Sequence, residues 1–221
     1  MSFAILPVLE PKEGQAQVLA DLIKNITSGA SINETGCKTY YFFIPETASS
    51  ISSTPTIHGI EVYTSQDALT GEHLQSPQFG ELGKWLQAGN CANSPDLGGY
   101  NVEFGFIDRT PPKESDFVFV ATLICKPGQR AAVLDKWRTC APWVWENEPD
   151  TYSYLFMTSM EDENKIVIFE RYKNKEALTE THYGGPKFQE VQPFMKENVA
   201  EKKTENFKWA GFGFISKDKL Q

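Results

Sequence analysis

Positive charge is scarce in this sequence: 21 lysines and arginines stand against 29 aspartates and glutamates, a formal net charge of −8 over 221 residues. No broad electropositive field is available for a phosphate backbone or an anionic lipid surface, so nucleic-acid and membrane partners are not expected, although a local patch could still hold an acid. Histidine is scarcer still. The three present, His58, His73 and His182, form no HxH or HExxH pattern, and the four cysteines form no CxxC pair. No recognisable metal site remains, and so few cysteines make no disulfide scaffold, so free buried thiols are expected. GxGxxG after a strand, GxxxxGKS and GxSxG are all missing, which removes nucleotide, flavin and serine-nucleophile signatures. The opening MSFAILPVLEPKEG has no basic flank, and Pro7 cuts its short apolar run. Neither a signal peptide nor a spanning helix is expected, and a cytoplasmic location follows.

What the sequence does have is aromatic residues, 13% of the chain with 15 Phe, 8 Tyr and 5 Trp. Most must fill the core, but the excess suits a pocket for a flat apolar ligand. It also has an internal repeat. IEVYTSQDALTGEHLQSPQFGEL from Ile60 and FERYKNKEALTETHYGGPKFQEV from Phe169 agree at nine of 23 positions without a gap, including Glu61/Glu170, Tyr63/Tyr172, His73/His182 and Phe79/Phe188. Chance would give roughly one or two. The match extends outward: NETGCKTY from Asn33 aligns with NEPDTYSY from Asn147, and FGFI from Phe104 recurs from Phe212. Between the copies, RTPPKES from Arg109 reads as a short stiff linker. Two homologous domains are therefore expected, over 1–110 and 115–217.

Each copy reads alike. An apolar strand (Ser2 to Leu9; Asp116 to Cys125) passes a Gly turn into a helix, apolar in the first copy at Val18, Leu19, Leu22, Ile23 and Ile26. Two strands follow, then a helix capped by Ser65 or Asn174, which breaks and restarts at Pro77 or Pro186. A last strand, VEFGFID or WAGFGFIS, closes the unit. The order β-α-β-β-α-β predicts an α+β fold of two tandem ferredoxin-like domains. Such a sheet bears helices on one face, so each copy is expected to cover the other's open face, forming an intramolecular dimeric α/β barrel.

KPGQR at Lys126, Glu148-Pro149 and the segment from Phe169 resemble the antibiotic biosynthesis monooxygenase family, and the first copy is a weaker match, with Glu34-Thr35-Gly36 where the pattern has Glu-Pro-Gly. The resemblance implies tandem dimeric α/β-barrel domains and a cofactor-free oxygenase acting on aromatic polyketides in natural-product biosynthesis. Such an enzyme takes an anthrone or phenol to a quinone with O₂ as the co-substrate, and needs a dry aromatic slot with a base or donor at the phenolate. The alternatives are a polyketide cyclase or isomerase in the same slot, and a non-catalytic barrel that binds a small molecule. A further homodimer of the whole chain is left open. Haem is not expected, because no histidine follows Phe79 or Phe188 in the second helix.

The candidate catalytic residues are His182, Tyr172 and His73. Each repeated histidine either acts as a base near its ordinary pKa or fastens the helix end to the preceding strand through Glu61 or Glu170. Tyr172 and Tyr63 share a strand face with Glu170 and Glu61. Tyr63, Tyr154, Phe188, Trp143 and Trp209 are candidate substrate-binding residues, walls of a flat slot, and each alone could equally be packing. The second copy is expected to hold the better pocket. No metal or cofactor is expected.

Overall fold

The structure, a computed structural model, describes residues 2–95 and 98–215. In chain order the elements are β1 (Phe3–Ile5), β2 (Val8–Leu9), α1 (Ala16–Asn33), β3 (Cys37–Pro45), β4 (Ile57–Tyr63), α2 (Pro77–Gln87) and β5 (Gly99–Phe106). The second copy supplies β6 (Phe117–Cys125), α3 (Arg130–Arg138), α4 (Cys140–Asn147), β7 (Thr151–Ser159), β8 (Lys165–Tyr172), α5 (Pro186–Asn198) and β9 (Val199–Ile215). The fold is α+β, and all the paired strands described below run antiparallel. Among the described residues no helix is long and apolar enough to cross a membrane.

The chain divides into two compact units, one of Met1–Gly99 with Phe207–Gln221 and one of Tyr100–Asn206. These are not the two sequence repeats. In the first unit β4 pairs with β1, β2 and β3, and β3 pairs in turn with the end of β9, Tyr40 lying opposite Phe214. In the second, β8 pairs with β6 and β7, and β7 pairs with β5, Tyr154 lying opposite Phe106. The last strand of each repeat thus joins the other repeat's β-α-β-β, and the FGFI motif is where it does so. Gly105 and Gly213 have φ of +113° and +106°, and a Cβ on either would collide with the backbone carbonyl of Tyr154 or Tyr40. Only glycine adopts that backbone without strain and allows so close an approach.

Local departures from the sequence reading have physical causes. Pro7 splits the first strand into β1 and β2, while its carbonyl accepts from Gly59 N at 2.9 Å. The first helix of the second copy is two helices meeting at Thr139, because the Pro142 ring clashes with the carbonyl four residues back, that of Arg138. In α1 the buried stripe is Ala16, Leu19, Ala20, Ile23, Ile26 and Ala30, and Val18 is exposed. β9 begins ten residues earlier than Trp209 and carries the polar run from Glu201 to Asn206.

The stretch after each third strand is a turn of π-helix, Ala68–His73 and Ala177–His182. Ser65 Oγ and Asn174 Oδ1 accept from Ala68 N at 3.2 Å and Ala177 N at 3.0 Å, as their capping role predicts. The wide turn closes with Leu74 N to Leu69 O and Tyr183 N to Leu178 O, both at 2.9 Å. It delivers each histidine inward, where His73 is fully buried and His182 nearly so. Each unit has its own apolar core. The second also buries an ion pair, Arg171 Nη2 to Asp116 Oδ2 at 2.9 Å, with both side chains wholly inaccessible.

Candidate active site

Each unit contains a cavity of about 220 Å³. In the second unit its walls include Phe119, Ala121, Leu123, Trp137, Ile168 and Phe188, together with Tyr154 and Glu170. In the first, Tyr40, Glu61 and Phe79 stand at the corresponding places among Ile5, Leu9, Ile23 and Phe42. Tyr154 faces Glu170 across the β7–β8 ladder, and Tyr40 faces Glu61 across β3–β4. A wider hollow of about 360 Å³, around Phe104, Phe106, Arg138 and Trp145, carries no buried carboxyl or phenol.

The polar groups of the two units match pair by pair. Tyr172 OH donates to Glu170 Oε2, and Tyr63 OH donates to Glu61 Oε2 at 2.6 Å. His182 Nδ1 lies 2.8 Å from Glu148 Oε2, which also accepts from Thr151 Oγ1 at 3.0 Å, and His73 Nδ1 lies 2.8 Å from Glu34 Oε2. Among the described residues the hydroxyls of Tyr154 and Tyr40, both nearly fully buried, have no hydrogen-bond partner. A buried phenol that lines a cavity and lacks a protein acceptor is poised for a ligand oxygen, since leaving it unmet costs about 1–3 kcal/mol.

Burial dominates the electrostatics. It pushes Glu61 up from 4.5 to about 6, against the opposing pull of His73 and the Tyr63 hydroxyl. Glu170 is raised by the same cause, with His182, Tyr172 and then Lys202 holding it back. Desolvation, reinforced by these carboxylates, lifts Tyr40, Tyr63, Tyr154 and Tyr172 well above the ordinary phenol value, so all four are donors. Burial works against a charge on His73, yet its hydrogen bond to Glu34 and the charge of Glu61 leave it raised.

The sequence-predicted residues fall into three groups. Tyr154 and Phe188 line the cavity of the second unit. Tyr172, His182, Tyr63 and His73 stand one layer back: His182 packs edge-on behind Tyr154 and Phe188, with ring centres 5.2 and 5.0 Å away, and His73 does the same behind Phe79 at 5.4 Å. Trp143 packs against the core without reaching the cavity, and Trp209 belongs to the first unit, stacked on Tyr41 with its Nε1 donating to Phe212 O at 2.9 Å. Sequence reasoning missed Tyr40 and the histidine partners Glu34 and Glu148. All three sit inside the aligned pair NETGCKTY and NEPDTYSY, so the signal was present.

Residues 116–193 match the family model of the antibiotic biosynthesis monooxygenases. The span 116–193 therefore carries the antibiotic biosynthesis monooxygenase pattern. No curated protein sequence matches the chain. Solved structures resemble it over nearly its whole length: a monooxygenase candidate from Lactobacillus acidophilus NCFM, at 11% identity and TM-score 0.82, covers 97% of this chain and 96% of its own. A second, from Fusobacterium nucleatum, has 14% identity and TM-score 0.83 over 98% of this chain and 94% of its own. An anthrone oxidase-like protein has 11% identity and TM-score 0.62, covering 96% of this chain and 94% of its own. At such identities the likeness is one of fold. The matched span carries Phe119, Tyr154, Glu170 and Phe188 of the cavity, together with His182 behind it.

Proposed function

We propose that the chain is a monooxygenase that oxidises a small electron-rich aromatic, an anthrone or phenol, with O₂ in the cavity of its second unit and with no cofactor. The observation that carries this reading is the pairing of a buried carboxyl, Glu170, with an unpartnered phenol, Tyr154, directly opposite one another on the wall of an apolar cavity. The family match and the anthrone oxidase-like fold neighbour support the reaction type. The expected intramolecular barrel belongs to the same proposal.

The chemistry follows from those two groups. Glu170 accepts the acidic C–H or O–H proton, and its raised proton affinity makes it a stronger base than an exposed carboxylate. Tyr172 holds one oxygen of that carboxylate, and the other faces no protein donor among the described residues. Tyr154 donates to the substrate oxygen as negative charge gathers there. The carbanion passes one electron to O₂, the radical pair joins at carbon, and the hydroperoxide loses water. The balance is one CH₂ plus O₂ giving one C=O plus H₂O. His182, tied to Glu148, positions Tyr154 and Phe188 from behind.

Oxygen uptake with an anthrone, on chelator-treated protein, tests the proposal. Glu170→Gln should lower turnover about 100-fold or more, and Tyr154→Phe about tenfold or more, with the fold retained. Equal turnover under argon would instead make the protein a cyclase or isomerase. Uptake indifferent to both substitutions would remove the chemistry from this cavity.

A further inference from the structure

The two cavities are lined by matching phenol, carboxyl and phenylalanine positions and differ in the charged residues that border them. Lys196 on α5 and Lys202 on β9 border the cavity of the second unit, together with Glu201, leaving a balance of one positive charge at the rim. Both lysines are exposed, and among the described residues neither makes an ion pair. No cation stands among the described residues that line the first unit's cavity. Pro7, Leu9, Leu86 and Pro95 are among its lining residues, and Glu61 is the one carboxyl among the described lining residues. The repeat equivalent of Lys196 is Gln87, which does not line it.

We propose that the first unit's cavity is a second ligand site, selective for an uncharged hydroxylated aromatic, while the second unit's cavity takes the acidic form of such a ring, a carboxylate outermost between Lys196 and Lys202. The assignment of the second cavity rests on the proposed function; that of the first does not. In both, the ligand hydroxyl meets the unpartnered phenol, Tyr40 or Tyr154, inside the apolar walls. At the mouth an anion finds two ammonium groups in one unit. In the other, where Glu61 matches Glu170, no cation lines the cavity among the described residues to offset the carboxyl.

The test uses two probes already at the oxidation level of product, a hydroxyanthraquinone and the same ring system bearing a carboxylate, with binding followed by calorimetry. The uncharged probe should bind at two sites per chain, one lost with Leu86→Trp and the other with Met195→Trp, substitutions at equivalent repeat positions on the two cavity walls. The carboxylate should bind at one site, abolished by Met195→Trp and untouched by Leu86→Trp. Replacing both Lys196 and Lys202 with Gln should weaken the carboxylate about tenfold and the parent less than about twofold, and added salt should weaken only the carboxylate. Should a tryptophan variant fail to fold, the exposed lysine pair carries the test alone. A carboxylate that fills both cavities, equal weakening of both probes by the lysine variant, or fewer than two sites for the parent would each overturn the assignment. Neither probe can be turned over, so binding is read apart from turnover: an anthrone that takes up no oxygen would count against the proposed reaction and leave the first cavity's assignment standing.

Discussion

Replacing Glu61 by Gln should make the first unit more stable, and only at a pH where the carboxyl would be charged. In the folded protein this group is buried, and its pKa rises from 4.5 to about 6. At 1.36 kcal/mol for each tenfold change in proton affinity, keeping it ionised costs about 2 kcal/mol. The native state therefore binds a proton that the unfolded chain has released between about pH 4.5 and 6, and wild-type stability falls as pH rises through that window. Glutamine has no charge to desolvate, fills the same space, and can still accept from Tyr63 OH through its amide oxygen. The difference between variant and wild type should be near zero at pH 4.5 and reach about 2 kcal/mol by pH 7.5. His73 adds in the same direction: its charged form, raised in part by Glu61, stabilises below its ordinary 6.5 and is lost at higher pH, more so in the wild type. Urea unfolding with hydrogen exchange of β4 amides reads the first unit separately from the second. A difference that does not change with pH, or a wild type more stable than the variant at pH 7.5, would refute the claim that burial governs this carboxyl.

Two further perturbations probe the scaffold. His182→Ala removes the partner of a buried carboxylate and should cost about 3 kcal/mol of the second unit's stability, while kcat, assayed well below the melting point, stays within about threefold. A collapse of kcat at unchanged stability would move the imidazole from positioning into the chemistry. Gly105→Ala should cost about 2 kcal/mol or more, because the position needs φ of +113° and lies against the Tyr154 carbonyl. Gly80→Ala, in α2 with open space around it, should instead gain about 0.5–1 kcal/mol, and denaturant midpoints of the two variants make the comparison.

The element order was legible because the chain states it twice, and two imperfect copies reinforce each other where either alone is ambiguous. The exchange of β5 and β9 was not. Both closing strands carry the same FGFI pattern, so each satisfies the register of either β3 or β7, and local sequence holds no term that distinguishes the partners. The π-turns were hidden because the apolar positions of one wide turn mimic those of an α-helix. Tyr154 and Phe188, expected among the walls of a flat slot, line the cavity of the second unit. Trp209, expected in the same slot as part of the last strand, belongs to the first unit. The histidines were linked to Glu61 and Glu170 as the acids of the preceding strand. The acids that hold them, Glu34 and Glu148, lie 39 and 34 residues away and become partners only when the π-turn folds back over the start of the second strand.

The duplicated cavities separate what the chemistry needs from what recognition needs. An ionised carboxyl in an apolar wall is costly to keep, by about 2 kcal/mol for Glu61, and a buried phenol without an acceptor adds to that cost. A unit with a purely structural role would be better served by glutamine and phenylalanine at those positions. Both units instead hold the full set: carboxyl, donor phenol behind it, opposed phenol, and a histidine tied to a second acid. Structural fastening accounts for the His–Glu pair, which joins the π-turn to the strand start. It does not account for Glu170 or Glu61, whose single hydrogen bond from a tyrosine two residues along the same strand fastens nothing distant. The carboxyls are the groups whose presence calls for a ligand, and the lysines at one mouth but not the other are where the two sites part company.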